Sequence, residues 1–139
     1  MIAKSTLARK RRDAGAGLLE LAIVLVLLML VTIGIVDFAL GIRAYNALGY
    51  AAREGARYAS VRSRQSRDPA TADKIAARVL SQLVLMNESD VKVMATWTPS
   101  NTRGATVRVD VSYPYRTLTQ VLPFQSIELT SSSEVIISE

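Results

Sequence analysis

The sequence predicts an α+β protein, in which one long amino-terminal helix crosses a membrane and continues into a small extracytoplasmic domain, where a second helix packs on a roughly three-stranded antiparallel sheet. Three observations carry that prediction. Leu21 to Val36 holds no charged residue, in a chain where 21% of residues are charged. Apolar residues then recur at three- and four-residue intervals as far as Met86, the period of a helix. From Val91 onward the period drops to two, the period of a strand. A chain of 139 residues has room for one anchor and one such domain, because smaller pieces bury too little surface to stand alone.

The first fifteen residues, MIAKSTLARKRRDAG, are short, basic and end in small side chains, which reads as a leader rather than as structure. Lys4, Arg9, Lys10, Arg11 and Arg12 against Asp13 leave this leader at +4, whereas the chain from Ala16 onward carries 12 Lys and Arg against 11 Asp and Glu. Of the overall +5, therefore, all but +1 belongs to the leader. A polybasic run beside an apolar segment sets membrane topology, so nucleic acid is not an expected partner. Next comes AGLLELAIVLVLLMLVTIGIVDFALGI, apolar apart from Glu20 and Asp37. Roughly 20 helical residues span the hydrocarbon core, and Leu21 to Ile42 meets that length with Asp37 near the far interface, facing water. The expected organisation is a leader over 1–15, a transmembrane helix over 16–42 and an extracytoplasmic domain over 43–139.

No proline occurs before Pro69, and RAYNALGYAAREGARYASV keeps helical composition beyond the apolar run. Ala47, Ala51, Gly55 and Ala59 recur every four residues, so they form one small-residue stripe that lets another backbone come close. The protein's own sheet is the favoured neighbour, with a second subunit as the alternative. RSRQSRD, residues 62–68, is polar and ends before Pro69, which marks a loop. Asp68 and Pro69 open a second helix to about Met86, with Ile75, Val79, Leu83 and Met86 on its apolar face. Val91, Val93, Ala95 and Trp97 alternate with polar neighbours, as do Val107, Val109, Val111 and Tyr113 after a turn over Pro99 to Gly104. These two runs predict a hairpin, and Ile127 to Ser138 a third strand in which Ser131 to Ser133 face solvent.

The chain has no cysteine and no histidine. That excludes disulfides, thiolate nucleophiles, zinc sites of the usual kind and histidine-dependent triads. Asp110, Glu128 and Glu134 are spaced as ordinary strand charges. No catalytic residue, metal, cofactor or small-molecule substrate is expected.

The informative junction is G-AGLLE-L, where basic residues precede Gly15, an apolar helix follows it, and Glu20 stands five residues later. A secretory signal is cut after its apolar core, whereas a cut between Gly15 and Ala16 removes only the leader and keeps the helix as an anchor. Glycine suits such a site because, without a Cβ, it lets a protease hold the backbone extended. An ionised carboxylate in an apolar helix costs of the order of 2.5 to 3.5 kcal/mol at mid-bilayer and less near an interface. The α-amino group that cleavage creates on Ala16 supplies a partner, because in a stack of staggered helices one subunit's amine reaches the next subunit's Glu20.

The arrangement G-AGLLE at the head of an apolar helix resembles type IV prepilins. The stretch IVDFALGIRAYNALGYAAREGARYASV resembles the TadE-like family, with its aspartate-aromatic pair at the helix end and its AAREGARYA block, and VRVDVSYPYR and the last strand are similar more loosely. Leu21 departs from the aromatic that the family prefers after the glutamate, and Ala16 from the bulky first residue common in pilins. The resemblance implies a pilin-like fold, processing by a prepilin peptidase, and a role as a minor pilin-like (pseudopilin) component of a tight-adherence (Tad/Flp) pilus or related secretion machine, in contact with other pilin or pseudopilin subunits. It also implies a single-pass protein of the inner membrane, or associated with the pilus, with its amino terminus in the cytoplasm and its domain periplasmic or extracellular.

Flanking charge agrees with that orientation. Arg43, Arg53, Arg57 and Arg62 follow the span, but the four contiguous cations before it are denser. Two other readings stay open: a signal sequence cut after Gly41, in the Ala39-Leu40-Gly41 context, releasing a soluble periplasmic domain; and a permanently anchored enzyme or regulator.

Overall fold

The computed structural model describes residues 3–84, 86–117 and 126–138, with side chains from Gly15 onward. One helix, α1, runs from Ala3 to Ser60. It starts inside the segment that the sequence reads as unstructured leader, because Ala, Leu, Lys and Arg are strong helix formers and no glycine or proline interrupts them before Gly15. The chain divides into two compact units, Met1–Phe38 and Ala39–Glu139.

The first unit is α1 alone. Every described side chain from Gly15 to Val36 is exposed, including an unbroken series of leucine, isoleucine and valine from Ile23 to Leu28. Thr32 satisfies its hydroxyl by donating to the Leu28 carbonyl at 2.8 Å, the local bond that lets threonine sit in an apolar helix. Asp37 corrects the expectation that it faces water. It keeps only 8% of its accessible surface and is engaged in a polar interaction, as a carboxylate withdrawn from water must be.

In the second unit the last part of α1 lies with α2 (Ala72–Leu80) and a sheet of β1 (Lys92–Thr98), β2 (Thr106–Tyr115) and β3 (Ile127–Ile136). The sheet is antiparallel throughout, in the order β1-β2-β3. Alternation along β2 puts Val107, Val109 and Val111 wholly in the core. As the central strand it has a neighbour on each side, so these three valines are covered where their counterparts on β1 are only half-buried. Burying a valine fully contributes about 1.5 to 3 kcal/mol.

The second helix is shorter than its apolar spacing predicts. Thr71, not Asp68, caps it, its hydroxyl accepting from the Lys74 N–H at 3.4 Å. Ala70 is tied elsewhere: its N–H donates to the Arg62 carbonyl at 3.1 Å, and its carbonyl accepts from the Asn101 side-chain amide at 3.1 Å. After Leu80 the chain tightens into three-residue turns, Leu83 to Leu80 and Met86 to Leu83, both 2.9 Å. Leu83 stays buried through those turns, so the spacing reported the buried face correctly while the helix itself stopped short.

Ser131 and Ser133 also correct an expectation. They are half-buried on the inner face, paired in register with Val111 and Val109, and only Ser132 is exposed. A Cβ added at Gly49 would lie 3.5 Å from the Ser131 Oγ, so small residues on both sides allow helix and strand to approach. At the other end of the helix, the Ser138 N–H donates to the Ser60 carbonyl at 2.9 Å, giving the end of α1 a partner from beyond β3.

Gly55 is the tightest point of this packing. A Cβ there would fall 2.7 Å from Val79 Cγ2 and 3.4 Å from Val109 Cγ1, and Val79 is a buried, β-branched residue with little rotamer freedom. We expect Gly55→Ala to lower stability by about 1 to 2 kcal/mol, overpacking outweighing the gain in helix propensity. Gly49→Ala meets only ordinary contacts and should raise it by up to about 1 kcal/mol. Chemical denaturation of the full chain in detergent checks both signs.

Candidate functional site

Gly15, Ala16 and Glu20 lie on the exposed, regular part of α1. A Cβ at Gly15 would meet nothing within 4 Å, so no packing requirement explains the glycine. Ala16 and Glu20 are four residues apart and share one helix face. Glu20 is the last charge before the uncharged run and stands exposed at its head.

The small-residue stripe lies elsewhere, in the second unit. Ala51, Gly55 and Ala59 are buried and Ala47 is half-buried. They share the core with Ile75 and Val79 of α2 and the valines of β2. Sequence reading missed a second, adjacent stripe, Ala44, Leu48, Ala52 and Ala56, which is equally buried. Its four-residue spacing was visible; the two stripes together make a face wide enough to cover both the sheet and α2.

Three acidic side chains of this unit, Glu54, Asp68 and Asp110, are held by cations. Arg78 donates to Glu54 Oε1 at 2.6 Å, joining α2 to α1. Lys74 pairs with Asp68, which also has the Arg62 guanidinium at 3.7 Å. Arg108 Nε donates to Asp110 Oδ1 at 3.0 Å. Glu134 sits opposite Arg108 in the β2-β3 register, and Glu128 is exposed on β3. Among the described residues no group of three or more acidic side chains is placed to hold a metal ion.

The head of the helix and its small-residue extension are the part of the chain that matches a known family. Residues 15–57 match the family of TadE-like proteins. The TadE-like segment begins at Gly15, takes in Glu20 and the whole apolar run, and ends at Arg57 inside the AAREGARYA block. VRVDVSYPYR and the last strand lie outside it. No curated protein and no solved structure matches the chain. The TadE-like family is structural and pilus-associated, and the match suggests a Tad pilus-associated component whose partners are pilus subunits. Among the described residues one helix, Gly15–Ser60, is long and apolar enough to cross a membrane, which suggests a single-pass, membrane-anchored protein.

The α1-α2 ion pair lies within the TadE-like segment on one side only, and its titration is readable. The hydrogen bond from Arg78, with the charges of Arg78 and Arg57, holds the Glu54 carboxyl below its ordinary range. Lys74, by hydrogen bond and charge, does the same for Asp68. Lowered folded-state values contribute stability above the ordinary carboxylate range, and that contribution is lost as pH falls through it toward the lowered values. Thermal unfolding of the full chain in detergent should therefore show the wild type losing melting temperature on acidification from neutral pH, and Glu54→Gln losing less over the same window. Parallel curves for the two would show that the pair carries no pH dependence.

Proposed function

We propose that this chain is a minor pilin-like, or pseudopilin, structural subunit of a Tad/Flp-type pilus assembly or secretion machine, made as a precursor and trimmed by a prepilin peptidase between Gly15 and Ala16. The observation that carries the reading is a carboxylate, Glu20, on the exposed head of an uncharged helix, four residues after the residue that would bear the new amine. Cleavage would place Glu20 close to a helix amino terminus, where unpaired N–H groups and the helix dipole favour negative charge, and the amine of a staggered neighbour would complete its neutralisation. The leader is then cytoplasmic and the domain periplasmic or extracellular.

In this reading the small-residue stripe serves the domain's own core, since Ala51, Gly55 and Ala59 are already buried. The surface left for other subunits is the exposed apolar run, Leu18 to Val36. Helices in lipid associate through close packing and polar contacts rather than hydrophobic drive, so Gly34 and Thr32, both exposed, are the points where a neighbour approaches nearest.

A second reading, release by signal peptidase after Gly41, is favoured by one feature: the second unit begins at Ala39 and its buried residues at Ala44, so the released piece would keep its core. Sequencing the amino terminus of the native protein separates the two. Ala16 is expected; Ile42 would establish release instead, and residues 1–15 still attached to working protein would end the subunit proposal. Gly15→Leu should leave full-length precursor on a gel, whereas Glu20→Ala should be trimmed normally and fail to enter the assembly.

A further inference from the structure

Within the second unit, the first turns of its α1 portion, the turns after α2 and the end of β2 line a cavity of about 460 Å³. Leu40, Ala44, Leu83 and Met86 supply apolar walls, and Arg43 and Arg116 line the cavity with Tyr113 and Tyr115. None of its lining residues is acidic. Among the described residues neither Arg43 nor Arg116 has an ion-pair partner. The cavity is therefore amphipathic and cationic, with no acidic partner for either arginine among the described residues.

Its place along α1 narrows the occupant. Leu40 belongs to the apolar run, and a Cβ on neighbouring Gly41 would lie 3.6 Å from the Tyr115 ring, so this tyrosine sits beside the last apolar turn. Leu21 to Ile42 is the length of one membrane span, so Arg43 is the first cation that follows such a span in the sequence, where headgroups are met. Tyrosine and arginine at that depth are the residues that meet lipid headgroups.

We propose that this groove seats an anionic phospholipid from the membrane that α1 crosses, with the phosphate on the Arg43 and Arg116 guanidiniums and the start of an acyl chain against Leu40, Ala44, Leu83 and Met86. Planar guanidiniums bind phosphate through paired hydrogen bonds. The volume suits a headgroup and the first part of a chain. The lipid would couple the base of the domain to the headgroup layer. The inference rests on α1 being a membrane anchor.

The full-length chain in neutral detergent, mixed with phosphatidylglycerol or with phosphatidylcholine of the same acyl chains, tests it by native mass spectrometry. Phosphatidylglycerol adducts should exceed phosphatidylcholine adducts by about tenfold, inorganic phosphate should not displace them, and R43Q/R116Q should bring the two lipids to parity while R43K/R116K keeps most of the preference. Should the double glutamine variant melt early, Arg116→Gln alone, at an exposed position, must cut the preference several-fold. Equal retention of both lipids by the wild type overturns the site. So does a preference that survives R43Q/R116Q and vanishes when Arg9 to Arg12 are neutralised, which would assign it to the basic leader, or a lipid-free dimer abolished by R43Q/R116Q, which would assign the groove to a second copy. Carbonate extraction of native membranes separates the two levels: release of the chain removes the anchor and the lipid site together, whereas retention with no lipid preference removes the lipid site alone.

Discussion

A single helix here has to satisfy two unlike surroundings, and its side-chain size and polarity change along its length to do so. From Leu21 to Val36 it is apolar on every side, which no aqueous core in the first unit relieves, since these residues are all exposed. From Ala44 it becomes small and apolar on one side only, with Tyr45, Tyr50, Arg53 and Arg57 exposed on the other. Backbone polar groups stay paired throughout because the helix never breaks. Everything else in the molecule is arranged around that change of surroundings.

The domain follows from the small side. Alanines and a glycine bring α1 close enough for Val79 and Val109 to reach the backbone at Gly55, and a compact core forms from short side chains rather than large aromatic ones. Such a core gains less from each residue than a leucine-rich one, and fixes the distance between helix and sheet more tightly. The ends are closed by hydrogen bonds rather than by side-chain bulk: Ser138 to Ser60, and Arg64 to the carbonyl of Asn101 in the hairpin turn.

Charge is distributed by the same logic. In the domain, Glu54, Asp68 and Asp110 each have a cation in contact. Glu20 is set apart at the head of the apolar run, and Arg43 stands just past its end. The two brackets differ in what they need. Under the proposed trimming Glu20 would be satisfied by a positive helix terminus, whereas Arg43 would be satisfied by the anionic headgroup proposed for its groove, which requires only the membrane.

The sequence by itself determined the apolar run, the change of period from helix to strand, the hairpin and its inward valines, and the motif at Gly15 and Glu20. These are legible because each rests on local composition or on a fixed repeat, 3.6 or 2, which a chain displays whether or not it is folded. Only the tertiary structure decided where α2 begins and ends, since Thr71 caps the Lys74 N–H while Asn101, 31 residues beyond Ala70, holds the Ala70 carbonyl. It also decided that Asp37 is buried, that Ser131 and Ser133 turn inward opposite Gly49, that Ala44, Leu48, Ala52 and Ala56 double the buried stripe, and that Arg43 and Arg116 line one groove. Those are relations between residues far apart in the chain, and no repeat within a segment encodes them; they are fixed by which surfaces fit when the segments meet.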